Sequence, residues 1–113
     1  MISCALEVHS KLGPGLLESI YEEALAFEFS LRKIEFERQK SIVVKYKDQD
    51  VGIHRIDFLI EDQVVLELKA VELMHKIFEA QLLTYLKALN KRVGLIINFN
   101  VVKLKDGIKR MIL

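Results

Sequence analysis

Residues 54–69 read His54-Arg55-Ile56-Asp57-Phe58-Leu59-Ile60-Glu61-Asp62-Gln63-Val64-Val65-Leu66-Glu67-Leu68-Lys69. Two runs rich in apolar residues flank a polar turn, which is the pattern of a β-hairpin. With the turn centred on Asp62, antiparallel pairing sets Ile56 opposite Leu68, Phe58 opposite Leu66 and Ile60 opposite Val64. Every pair on that side is apolar, so that side reads as core. The other side carries Arg55 opposite Lys69, Asp57 opposite Glu67 and Leu59 opposite Val65, because strand side chains alternate. A one-residue slip would undo the apolar pairing, so the register is strongly specified.

Asp57 and Glu67 would then have their β-carbons about 4.5–5.5 Å apart. Two opposed carboxylates repel unless positive charge lies between them, and a divalent cation removes that penalty. Lys69 lies one step along the same face, placed to stabilise developing negative charge or to position water. Two acids and a lysine also occur on ordinary solvated strand faces. Against that reading, the strand Val64–Ala70 is expected at the centre of the sheet. The neighbouring helices also offer Glu18 and Gln81 on otherwise apolar stripes. Glu18, Tyr21 and Glu22 share one helical face, as do Gln81 and Tyr85. Taken alone, Glu18 reads as a surface acid and Gln81 as a satisfied amide.

Ile2, Ala5, Leu6, Val8 and Leu12 form an apolar helical stripe that ends at Gly13-Pro14-Gly15. A second helix is expected from about Leu16 to Arg32, with Leu17, Ile20, Tyr21, Ala24, Leu25, Phe27 and Leu31 at helical spacing. Strand texture begins at Phe36, and Lys47-Asp48-Gln49-Asp50 is a polar turn before a strand from Val51 to Ile60. A third helix runs from about His75 to Asn90. Val93 to Phe99 is nearly all apolar and reads as a strand buried on both faces. A crossover carried by the third helix would set that strand parallel to Val64–Ala70. Asp106-Gly107 signals a terminal hairpin between Val101–Lys105 and Ile108–Leu113. The order is α-α-β-β-β-α-β plus the hairpin, an α/β chain with a mixed α+β sheet.

The chain has 113 residues, 51% hydrophobic and 29% charged, which fits one globular domain over residues 1–113. Lys and Arg number 17 against 16 Asp and Glu, for a net charge of +1. That excludes a strongly basic nucleic-acid coat but not a local basic patch. Cys4 has no intramolecular partner for a disulfide and reads as a small buried apolar residue in a reducing, cytoplasmic setting. No apolar run approaches the ~18 residues that span a bilayer, so no membrane partner is expected. The N-terminus lacks the basic start of a signal peptide. Its first helix shows no N-cap, which fits a truncated or late-start chain. His9, His54 and His75 are widely spaced and no Cys-x-x-Cys exists, which argues against zinc.

Gly15-Leu16-Leu17-Glu18-Ser19-Ile20-Tyr21 resembles the G-x-x-E-x-x-Y signature of the GxxExxY protein family, and His9 to Gly15 matches the approach to it. Asp57, Glu67-Leu68-Lys69, Gln81 to Lys87 and Leu95 to Phe99 follow in that family's order. The family is assigned to the PD-(D/E)XK nuclease superfamily. The resemblance therefore implies a restriction-endonuclease-like core and hydrolysis of phosphodiester bonds with Mg²⁺, or Mn²⁺, as cofactor. It implies that Asp57, Glu67 and the backbone carbonyl of Leu68 hold the metal, with Glu18 completing the acidic cluster directly or through water. Lys69 would orient the attacking water or stabilise the charged transition state, and Gln81 would orient that water or a phosphate oxygen. Ile56 stands where the motif has proline, and the first helix is shorter than the family's.

The substrate implied is nucleic acid, with DNA put first. Tyr21, Arg55, Tyr85 and Lys87 are expected near it, and Lys76, Lys91 and Arg92 could add phosphate contacts. So few cations predict modest, salt-sensitive affinity. A homodimer through Val43, Tyr46 and the terminal hairpin is one option. The competing class is a binding or interaction module on the same fold without turnover.

Overall fold

The computed structural model describes residues 1–113. Helices α1 (Ile2–Leu12) and α2 (Glu18–Leu31) precede strands β1 (Phe36–Tyr46), β2 (Gln49–Ile60) and β3 (Val64–Lys69). Helix α3 (Lys76–Leu89), strand β4 (Val93–Asn98), a 3-10 turn at Leu104–Gly107 and strand β5 (Ile108–Ile112) follow. The strands form one sheet in the order β1-β2-β3-β4-β5. All neighbours are antiparallel except β3 and β4, which run parallel across the α3 crossover, as the sequence predicts.

The helices cover both faces of the sheet. On one face Phe58, Ile60, Leu66, Leu68, Leu95 and Ile97 pack with residues of α1 and α2, among them Cys4, Tyr21, Leu25 and Phe29. On the other, Leu59, Val65 and Ile96 pack with Leu82, Tyr85 and Leu86 of α3. β4 is therefore buried on both sides, which its unbroken apolar run requires. Each fully buried Leu, Ile or Phe side chain stabilises by about 1.5–3 kcal/mol relative to exposure.

Three expectations change. In α2, Tyr21, Leu25, Ala26 and Phe29 are buried, whereas Ile20, Phe27, Leu31 and the N-cap residue Leu17 face solvent. Likewise α1 buries Cys4, Ala5, Val8 and His9 and leaves Ile2, Leu6 and Leu12 exposed. α2 is apolar on more than one side, and periodicity does not say which side the sheet takes. Second, the terminal hairpin between Val101–Lys105 and Ile108–Leu113 does not form. Leu104 is drawn into the core, the Asp106-Gly107 signal sits in the 3-10 turn, and β5 pairs with β4 from Ile97↔Ile108 to Val93↔Ile112. This pairing covers what would otherwise be the open edge of β4.

The third change bears on function. β2 and β3 pair as expected at Phe58↔Leu66, Leu59↔Val65 and Ile60↔Val64, and there the ladder stops. Ile56 does not pair with Leu68, nor Arg55 with Lys69. Ile56 instead packs with Ile42, Leu59 and Tyr85 on the α3 face, opposite to Phe58. The alternation thus breaks at Asp57. On the other side of β2, β1 continues as Arg38↔Phe58 and Lys40↔Ile56, with Gln39 skipped and its φ at 52°. Past this point β1 and β2 run on as a two-stranded arm away from β3, and the molecule measures 46 × 32 × 23 Å.

Candidate active site

Where β2 and β3 part, side chains take up the backbone groups that the ladder releases. The N–H of Asp57 donates to Glu67 Oε1 at 3.1 Å, and the N–H of Leu68 donates to Asp57 Oδ2 at 2.8 Å. Each acid is thereby held on the strand opposite its own. The two carboxyls meet in the fork between the strands, both half-buried.

Burial raises the pKa of Asp57 to about 6; the Leu68 N–H opposes this, and the charges of Glu22 and Glu18 add to it. Burial likewise raises Glu67 to about 8, followed by repulsion from Asp57. At neutral pH the pair thus retains close to one proton, and that proton belongs to the pair as a unit. Lys69 lowers both values and also that of Glu18, so all four groups share one electrostatic neighbourhood. The Lys69 ammonium lies 4.5 Å from the centroid of the Phe78 ring on α3, a cation–π contact that fixes its direction.

Glu18 is the first residue of α2, after Leu17 at the N-cap. Its side chain reaches solvent, yet partial desolvation raises its pKa, with Lys69 opposing and Glu22 reinforcing. Tyr21 holds this end of the helix. Its hydroxyl donates to Gly13 O at 2.6 Å and accepts from Leu16 N–H at 3.1 Å, and its ring stacks on Phe99 at 4.6 Å. Gly13 and Gly15 take φ values of 70° and 97°, which suit glycine and shape the turn into α2. Tyr21 is fully buried, so its place is structural and not at a substrate.

The remaining candidates divide. Tyr85 is buried on α3, and burial, then Glu67 and Asp57, raise its pKa, which places it beside the pair. Gln81 is exposed and makes no side-chain hydrogen bond; it lies on the same face of α3 as Phe78 and Tyr85. Arg55 is exposed on the arm, opposite Ser41. Lys87, Lys45 and Thr84 line a groove of about 390 Å³ between the arm and α3. Lys76 is exposed at the start of α3. Lys91 and Arg92 are corrected: they precede β4 at the Val64 end of β3, away from Glu67 and Lys69, and Lys91 is bound to Asp62 at 3.1 Å. The parallel pairing of β3 with β4, Val64 beside Val93, puts them there.

Sequence reasoning missed Gln39 and Arg38 and left Glu22 without a role. Gln39 Nε2 donates to Glu22 Oε1 at 2.9 Å and reaches Asp57 Oδ1 at 3.4 Å. Arg38 clamps Glu22 and Glu23 of α2 at 2.8 and 2.7 Å. No spacing rule connects these residues, because they meet only when β1 packs beside α2.

No three His, Cys, Asp or Glu side chains converge as a metal cage. Two carboxyls nonetheless suit a hard divalent cation of the Mg²⁺ type, which binds through one or two carboxylates and keeps several waters. The Leu68 N–H points into the fork. A strand residue's C=O points to the same side as its N–H, so the Leu68 carbonyl lies there too. The desolvated, mutually repelling pair is the chemistry that such a cation relieves, and the residues present fit it.

A mixed sheet with helices on both faces, and acids at the fork between β2 and β3, defines the restriction-endonuclease-like fold class. The profile of the PD-(D/E)XK nuclease superfamily matches residues 1–111, and the chain belongs to that superfamily. Searches of curated proteins and of solved structures returned no match. Nucleases of this superfamily generally act on nucleic acid with divalent metals.

Proposed function

We infer that this chain hydrolyses phosphodiester bonds in nucleic acid, DNA foremost, with Mg²⁺ or Mn²⁺, and that within its superfamily it is a GxxExxY protein. The observation that carries the reading is the Asp57–Glu67 pair. Two acids each bonded to the opposite strand, desolvated and beside Lys69, form an arrangement that a solvated strand face has no reason to build. Tyr21 supports the GxxExxY assignment, since it ties the glycine turn to the helix that presents Glu18.

In this reading Asp57, Glu67 and the Leu68 carbonyl would hold the cation, with Glu18 completing the acidic cluster directly or through water. The bound cation supplies positive charge at the scissile phosphate and lowers the pKa of water. Lys69, directed by Phe78, places an ammonium where negative charge develops on the phosphate. Gln81 orients water or a phosphate oxygen, and the Tyr85 hydroxyl stands at the edge of the same site. Arg55, Lys76 and Lys87 contact phosphates, and the small number of cations makes binding weaken steeply with salt.

The test is thermal melting with and without Mn²⁺, beside a nuclease assay on single-stranded, duplex and branched DNA and on RNA. Mn²⁺ is expected to raise the melting temperature of the wild type and not of Asp57→Ala, by mass action on the native state. Cleavage of at least one substrate should require Asp57, Glu67 and Lys69. A folded wild type that binds no metal and cuts none of these substrates is instead a binding module.

A further inference from the structure

Gln39 stands in the interior of β1 with a left-handed φ of 52°. The other non-glycine residues with positive φ are Lys33, Lys47, Asp48, Glu61, Asp62 and Asn90, and all lie at strand turns or helix ends. L side chains rarely adopt this conformation. Inside a strand it persists only where the surroundings over-determine it.

The surroundings are on the face toward α2. Successive strand residues normally point to opposite faces. Here Arg38 and Gln39 are adjacent in sequence and both bond Glu22, at 2.8 Å to Oε2 and 2.9 Å to Oε1. The left-handed residue turns both side chains to one side. It also coincides with the break in β2, where Asp57 is unpaired between Ile56 and Phe58. The Gln39 amide then reaches Asp57 Oδ1 at 3.4 Å, while Leu68 N–H holds Oδ2 at 2.8 Å. The two oxygens of Asp57 are thus addressed by two donors from different strands, which sets the plane of the carboxyl.

We propose that Gln39 is a positioning residue: its left-handed backbone and its amide fix the orientation of Asp57, with Arg38 and Glu22 anchoring the amide to α2. The amide is suited to this place because it offers hydrogens to two acids without adding a charge. Groups that orient metal-ligating carboxylates matter nearly as much as the ligands themselves. The statement about metal rests on the function inferred above; the statement about Asp57 orientation does not.

The test uses Gln39→Gly, which keeps the left-handed backbone without strain and removes the amide. Gln39→Asn tolerates the same backbone and keeps a shorter amide. Three quantities are measured: Mn²⁺ affinity by calorimetry, melting temperature, and the metal-free crystal structure. Gln39→Gly is expected to melt at or above the wild-type temperature and to bind Mn²⁺ about 10-fold more weakly or worse. Its Asp57 carboxyl should turn about the Cβ–Cγ bond, and Gln39→Asn should fall between it and wild type in affinity. A purely structural residue would not weaken metal binding while stability is retained. Wild-type Mn²⁺ affinity together with an unmoved Asp57 in Gln39→Gly overturns the proposal. A wild type that binds no Mn²⁺ overturns the metal reading, and the orientation of Asp57 in the metal-free variant then decides the role of Gln39.

Discussion

The main-chain N–H of Asp57 donates to the side chain of Glu67 at 3.1 Å, across a gap where the strands no longer pair. A carboxyl thus does the work of a missing backbone carbonyl. The reciprocal bond from Leu68 to Asp57 closes the crossed arrangement at 2.8 Å. The fork therefore stays open without orphaned N–H groups at Asp57 and Leu68, and no buried side-chain polar atom lacks a partner.

The metal-free protein should lose stability as pH rises. Burial raises Asp57 to about 6 and Glu67 to about 8, above the ordinary values of 3.8 and 4.5. The folded state then binds more protons than the unfolded chain across that window. The stability that these two carboxyls contribute is full below their ordinary values, is lost progressively as pH rises from there to about 6 for Asp57 and to about 8 for Glu67, and levels off above. Melting temperatures from pH 5 to 9 check this in chelator. Glu67→Gln should flatten the upper part of the fall. A melting temperature constant or rising over the whole range contradicts it.

Metal binding at the same pair should release protons. With Glu67 at about 8, a cation arriving at neutral pH displaces a proton from the pair. Calorimetry of Mn²⁺ binding in two buffers of different ionisation enthalpy measures the number released, expected at about one. Affinity should rise with pH and level off above the higher value. Binding with no proton release would place the cation elsewhere.

Lys69→Ala should separate binding from turnover. The ammonium is proposed to act on the transition state, so its loss should lower kcat by about 10²–10³-fold, as for other preorganised charge-stabilising groups. Mn²⁺ affinity should hold or tighten, because a cation has left the neighbourhood of Asp57 and Glu67. Equal loss of metal affinity and rate would make Lys69 a structural partner of the acids.

Tyr21→Phe should destabilise the fold by about 0.5–1.5 kcal/mol, the net worth of the hydroxyl's hydrogen bonds to a turn that water can reach. The hydroxyl joins Gly13 O and Leu16 N–H, and the ring is fully buried on Phe99. Urea unfolding gives the magnitude. An unchanged midpoint and slope would mean that water replaces the hydroxyl.

The hairpin of β2 and β3 was legible because Phe58, Ile60, Val64 and Leu66 admit one register that buries them together. The parallel β3–β4 pair was legible because a helix of α3's length separates two apolar runs. Asp57, Glu67 and Lys69 could be nominated from alternation alone, although the alternation itself fails at Asp57. The acids still converge because side-chain bonds replace the pairs that periodicity anticipated.

Local pattern determined the element types, the central place of β3 and the acids worth weighing, since these follow from side-chain period, turn chemistry and apolar length. Tertiary structure decided which side of α2 faces the core, which partner β5 takes, and where the β2–β3 ladder ends. It also brought Gln39 and Glu22 to Asp57. Those outcomes depend on contacts between segments far apart in the chain: Leu104 entering the core, α2 lying beside β1, and a left-handed φ at Gln39 stabilised by acids of another element. A residue's own neighbours in sequence carry no term for such contacts. The face reversal at Asp57 therefore exists only once the sheet and both helix layers have closed around it.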